Sequence, residues 1–172
     1  IYEYKNPAFT DSRTDSAALS WAYGWAADTS LTTTYNFSKY YFDTSGGDNM
    51  KSHNLSLGIA ERLSPTLSFN LSGGIVYWPD IDDRLNWTAG ANITKTFEGS
   101  SLNISYTRAI TQASGLANAI MMSDSISMSW IRTLSASFNI TASAGLSKNS
   151  LVSSSSNLDT TSYNAGINCN WQ

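Results

Sequence analysis

The sequence predicts an all-β fold: an antiparallel up-and-down transmembrane β-barrel with nine or ten strands in this chain. Three observations predict it. Apolar and small polar residues alternate with period two from about residue 17 to the end of the 172-residue chain. The alternating segments run to roughly ten to thirteen residues, about what a tilted strand needs to cross a bilayer. The connections are short and long in turn, the rhythm of a meander whose two ends face different surroundings.

The elements follow in order. Ala17, Leu19, Trp21, Tyr23 and Trp25 share the first apolar face, and "ADTS" (27–30) is a tight turn. Leu31, Tyr35, Phe37 and Tyr41 then alternate with Thr34, Asn36 and Ser38. The long link "DTSGGDNMKS" (43–52) leads to Leu55, Leu57 and Ile59, set against Asn54, Ser56 and Gly58. "SPT" (64–66) turns the chain, with Pro65 suited to the second turn position. Leu67, Phe69, Leu71, Ile75 and Tyr77 oppose Ser68, Asn70, Ser72 and Gly74. Gly73-Gly74 marks a bend or bulge, since a phosphate loop would need a lysine and a following helix.

After "PDIDDR" (79–84), Leu85, Trp87, Ala89, Ala91, Ile93 and Phe97 oppose Asn86, Thr88, Asn92 and Thr94. "EGS" (98–100) places Gly99 where a turn needs positive φ. Leu102, Ile104, Tyr106 and Ile110 oppose Asn103, Ser105 and Thr107. "QASGLANAIMMSDS" (112–125) reads as a loop, including "GLANAIMMSD", the one stretch that could form a short helix. Ile126, Met128 and Trp130 alternate with serines up to a tight turn near Ser135. Phe138, Ile140, Ala142 and Leu146 oppose Asn139, Thr141 and Ser143. "KNSLVSSSSNLDTT" (148–161) links to Tyr163, Ala165, Ile167, Cys169 and Trp171, which alternate with Asn164, Asn168 and Asn170. A tenth strand is expected to begin at "IYEY".

Composition narrows the function. Charged residues are 13%, about half the usual share. Net charge is -3 with no basic block, which argues against a nucleic-acid partner. No run of eighteen apolar residues exists, so no spanning helix is expected. The start "IYEYKNP" lacks the basic and apolar parts of a signal peptide, so a mature product, a fragment or an unexported protein is expected. Cys169 is the lone cysteine and shows no ligand spacing for zinc, haem or an iron–sulfur cluster. No cofactor or metal is expected.

The decisive question is which face meets water. An exposed sheet face normally carries Lys and Glu, whereas this one carries Ser, Asn, Thr and Gly. In lipid the arrangement is natural: apolar and aromatic side chains outward, small polar ones lining a lumen. The lumen is then lined by Asn36, Ser56, Ser68, Asn70, Ser72, Asn86 and Thr88 from the first half. Asn92, Asn103, Ser105, Asn139, Thr141, Asn164 and Asn168 continue it. Aromatic belts face lipid: Phe69, Phe97, Phe138 and Trp171 near the tight turns, and Tyr41, Tyr77, Trp87, Trp130 and Tyr163 nearer the long loops.

On this alternation, the loop rhythm and strand ends such as "SYNAGINCNW", the chain resembles bacterial outer-membrane β-barrels of porin-like type. Such barrels often end on an aromatic, whereas here Trp171 is followed by Gln172. The resemblance implies one barrel domain over 1–172, or part of a larger barrel, in an outer membrane. It implies a conduit for polar solutes or for an inserted partner or polymer. The alternatives are a structural or adhesive barrel acting through its loops, and a soluble β-sandwich binding module.

Nine of ten aspartates fall at the long-loop end, with Asp80, Asp82 and Asp83 the densest cluster. That cluster lacks the glycine and distal glutamate of a calcium loop. Lys39, Arg108 and Lys148 sit on the apolar face toward the loops, where they are expected to snorkel to the interface, contact with lipopolysaccharide phosphates being the alternative. His53 is the only histidine, and "KSHNLS" does not assemble a nucleophile with an oriented base. The protein is therefore not expected to be an enzyme.

Overall fold

A computed structural model describes residues 12–42, 49–80, 82–112, 120–151 and 159–171. They form β1 (Ser12–Ala26), β2 (Thr29–Phe42), β3 (Met50–Ser64), β4 (Leu67–Trp78), β5 (Asp82–Phe97), β6 (Ser100–Gln112), β7 (Ile120–Ser135), β8 (Phe138–Leu151) and β9 (Asp159–Trp171). Among the described residues there is no helix. The strands make one antiparallel sheet in sequence order, so the all-β meander expected from the sequence is the fold.

The period-two pattern fixes the register. Tyr35 lies opposite Leu55, Leu55 opposite Ile75, and Ile75 opposite Trp87. On the other face, Asn70, Asn92, Ser105, Ser127, Gly145 and Asn164 form one cross-strand row. A slip of one residue at any pair would mix these rows. The tight turns fall at 27–28, 65–66, 98–99 and 136–137. Gly99 has φ 68°, a value that glycine adopts without a Cβ penalty. Three turns are tied to the next strand. The carbonyl of Asp28 accepts from the Arg62 amide at 2.9 Å, Thr66 from Thr96 at 2.8 Å, and Gly99 from Thr133 at 2.8 Å.

The strands are longer than the alternation suggests, most of all on the long-link side. β1 starts at Ser12, β3 at Met50, β5 at Asp82 and β7 at Ile120, while β8 runs on to Leu151. The loop expected over 112–125 is thus strand from Ile120, and a helix is ruled out for Ile120–Asp124. Ladder hydrogen bonds need only backbone, so pairing continues through polar residues such as Ser123 opposite Ala109 and Asp159 opposite Ser150. The expected tenth strand at "IYEY" lies outside the described residues.

On β3 and in the first half of β5 burial runs opposite to hydrophobicity. Leu55 and Leu57 are exposed at 45% and 63%, while Asn54, Ser56 and Gly58 around them are half-buried. Trp87 is 52% exposed between the half-buried Asn86 and Thr88. Only Met50, Val76, Trp78 and Met122 are buried hydrophobics among the described residues. A β-sandwich needs two sheets stacked over a shared core; the described strands make a single sheet.

Two adjacent glycines show how that sheet bends. A Cβ on Gly73, on the apolar face, would meet nothing within 4 Å. A Cβ on Gly74, on the polar face, would lie 2.7 Å from the Leu55 carbonyl, 2.8 Å from Thr88 Oγ1 and 2.9 Å from Ser56 Cβ. The polar face is therefore the concave one here. Gly74→Ala is expected to destabilise the fold by about 1–3 kcal/mol, while Gly73→Ala leaves stability unchanged or slightly raised. Urea unfolding followed by tryptophan fluorescence measures both.

Candidate functional site

The register places all fourteen residues expected to line a lumen on the concave polar face. Asn92, Asn103 and Ser105 take part there in side-chain hydrogen bonds. Asn103 Nδ2 donates to Thr94 Oγ1 at 3.0 Å, Thr94 Oγ1 to Asn92 Oδ1 at 3.3 Å, and Ser105 and Ser127 share a 2.7 Å bond. The middle of the face holds a concavity of about 410 Å³ lined by Thr32, Gly58, Asn70, Ser72, Asn92 and Thr107 among others.

Charge is almost absent from this face. Among strand residues whose side chains are described, Arg62 is its one charged member. The other strand charges stand on the apolar face, at its two rims. Arg13, Asp15, Lys39, Lys51, Arg108, Asp124, Lys148 and Asp159 are at the long-link rim. Glu61, Lys95 and Arg132 are at the tight-turn rim. Between the rims the face is Leu, Ile, Ala, Met and aromatic residues, with Thr33, His53, Gly73 and Cys169 among them.

One feature of the concave face escapes the sequence pattern. At its long-link end Met50, Val76 and Trp78 form a buried cluster, with Tyr40 and Ile110 packed against it. Tyr40 and Trp78 stack at 5.4 Å from strands on either side of β3. Beside them Ser38 and Ser52, directly opposite each other, are only 8% and 6% exposed. Three polar atoms here are buried without a hydrogen-bond partner: Trp78 Nε1, Asn36 Oδ1 and Asn54 Oδ1. The signal in the sequence was a break in parity: Tyr40, Met50, Val76 and Trp78 occupy positions otherwise held by Ser and Asn.

The nine belt aromatics share the convex face. Phe138 and Trp171 meet at 5.9 Å near the turn end. Trp130 stands opposite Leu102 and Ala142, in the turn-side half of β7 rather than toward the long link. The reason is that β7 begins six residues earlier than the alternation suggests, which moves its midpoint.

Arg108 makes the most built contact of this face. Its Nη1 lies 2.9 Å from Asp124 Oδ2, Tyr106 OH donates to Asp124 Oδ1 at 2.8 Å, and the guanidinium sits 4.0 Å over the Trp87 ring. Lys148 pairs with Asp159 at 3.0 Å. Lys39 lies 4.5 Å over the Tyr41 ring and directly opposite Lys51. His53 shares a 2.8 Å bond between Nδ1 and Tyr35 OH and lies against Phe37, so aromatic residues surround it.

Asp80 Oδ2 accepts from the Lys51 amide at 2.9 Å, which ties the link after β4 to β3. Asp82 and Asp83 begin β5, and their side chains lie outside the described ones. Cys169 is exposed with a free thiol. Among the described residues no three His, Cys, Asp or Glu side chains are placed to hold a metal ion. No protein-family model matches the chain, and no curated protein matches it.

The two ion pairs differ in burial, and their energies should differ with it. Arg108 and Asp124 are 23% and 31% exposed, whereas Lys148 and Asp159 are 56% and 51%. Asp124→Ala strands a shielded guanidinium and the Tyr106 hydroxyl, and is expected to cost about 1–3 kcal/mol. Asp159→Ala is expected to cost under about 1 kcal/mol. Denaturant titrations of the two variants separate them.

Proposed function

We propose that the protein is a membrane-embedded β-barrel of porin type, a conduit for polar solutes in a bacterial outer membrane. The observation that carries this is the vertical spacing of the rim charges on the convex face. Lys51 and Glu61 are ten residues apart on β3. At 3.3 Å per residue that is about 33 Å along the strand. With a tilt of about 40° the height is about 25 Å, the apolar band of such barrels. Asp124 and Arg132, eight residues apart on β7, bound a band of about 20 Å by the same arithmetic. Exposed Leu, Ile and Trp between two charged rims make an energetically costly water surface but a favourable lipid one.

The concave face supplies the conduit: hydroxyls and amides, small side chains, and room between them. An inserted protein or polymer would use the same wall. The adhesive alternative rests on the long links, most of which lie outside the described residues. Phosphate contact at the outer rim falls best to Lys39 and Lys51. They stand opposite each other, neither ammonium group has a carboxylate partner among the described residues, and like charges so placed repel. Arg108 and Lys148 already have carboxylates.

Three outcomes test these readings. Leu57→Arg, at mid-height of the convex face, is expected to cost about 2–4 kcal/mol in lipid vesicles. If that face meets water, the same change leaves stability within about 0.5 kcal/mol. Reconstituted protein is expected to give discrete conductance steps in a planar bilayer, and a silent bilayer with inserted protein rejects the conduit. Neutralising Lys39 and Lys51 together is expected to lower lipopolysaccharide retained after detergent extraction; unchanged retention rejects phosphate contact there.

A further inference from the structure

We infer that the concave face is built for an uncharged, polyhydroxylated solute of sugar type, and that Asn36, Asn54 and Trp78 contact its hydroxyl groups at the long-link end. This rests on the conduit reading above and names its solute.

The wall sets the class. A charged solute that loses water in a lumen needs an opposite charge or an array of aimed dipoles in return. The concave face offers one described strand charge, Arg62, at the tight-turn rim. Among the other described strand side chains its polar groups are chiefly hydroxyls and carboxamides, which both donate and accept. Those groups match a sugar hydroxyl, which also does both. The 410 Å³ concavity at mid-height lies in the usual range for small-molecule sites.

The unpartnered atoms mark the contact. Trp78 is 5% exposed, and among the described residues its indole N–H has no acceptor. Asn36 and Asn54 lie opposite each other on β2 and β3, and each keeps a buried carbonyl oxygen without a donor. Asn54 in turn lies opposite Val76, which packs against Trp78. One donor and two acceptors therefore share one patch, with the Ser38 and Ser52 hydroxyls between them. Bare buried groups cost free energy. A ligand that brings one acceptor and two donors, as vicinal hydroxyls do, removes that cost.

The test uses the full chain in lipid vesicles and planar bilayers. Vesicle swelling is compared for glucose, gluconate and glucosamine, which are close in size and differ in charge. Glucose is expected to enter at least about fivefold faster than either charged analogue. Asn92→Asp, nearly isosteric, is expected to turn a reversal potential near zero into a cation-selective one. Trp78→Phe keeps the ring and loses the N–H; it should raise the glucose concentration that half-blocks the ionic current roughly tenfold.

Equal entry of all three solutes, with conductance present, overturns the inference and leaves the conduit standing. Absence of both swelling and conductance from inserted protein overturns the conduit and the inference together. A half-blocking concentration unchanged in both Trp78→Phe and Asn54→Leu overturns the assigned contacts.

Discussion

Backbone hydrogen bonding between neighbouring strands holds this structure together, because there is almost no core to do it. No described side chain is fully buried, and the four buried hydrophobics do not extend beyond one end of the sheet. A soluble domain of this size would rely on burial for most of its stability. Here eight antiparallel ladders, each nine or more residues long, take that role. In water such ladders gain little net free energy, since water competes for every donor and acceptor. In hydrocarbon nothing competes, and an unpaired peptide group is costly. The same nine strands are thus marginal in one solvent and strongly determined in the other.

That dependence explains the inverted side-chain pattern. In the membrane setting proposed above, large apolar groups belong on the convex face and impose no packing problem. The concave face is where crowding arises, and the sequence answers with glycine at Gly74, Gly90 and Gly145, whose neighbours already fill the space a Cβ would take. Small polar side chains relieve the same crowding and bond one another, as Asn103, Thr94 and Asn92 do. Charge is confined to the convex rims, where Arg108 combines a carboxylate, a tyrosine-buttressed acceptor and an indole face.

Most of the two faces was legible in the sequence, because period two is set by the extended backbone and survives smooth curvature. Strand ends were not. Alternation fades where a strand leaves the apolar band, yet pairing continues; Asp124 read as a loop residue and is a ladder residue bound to Arg108. Cross-strand partners were equally out of reach, since Tyr35 with His53 or Lys148 with Asp159 depend on register between strands. The Tyr40–Trp78 patch was readable in part. Its four apolar residues break the polar-face parity at one end, but only coordinates reveal that two rings close over Ser52 from neighbouring strands.

The edges impose the remaining constraint. Among the described strands β1 and β9 are paired on one side only, and all of β9 is exposed. β9 has no lysine, proline or bulge, the devices that blunt an edge in water. With nine strands, β1 and β9 run in the same direction, so joining them directly would make one parallel ladder in an antiparallel sheet. Purely antiparallel closure takes an odd number of further strands, the outer two running opposite to β1 and β9. Each added pair widens the lumen, because diameter grows with strand number. In the barrel proposed above, these nine strands set the chemistry of their own share of the concave wall, and its width depends on how their two edges are closed.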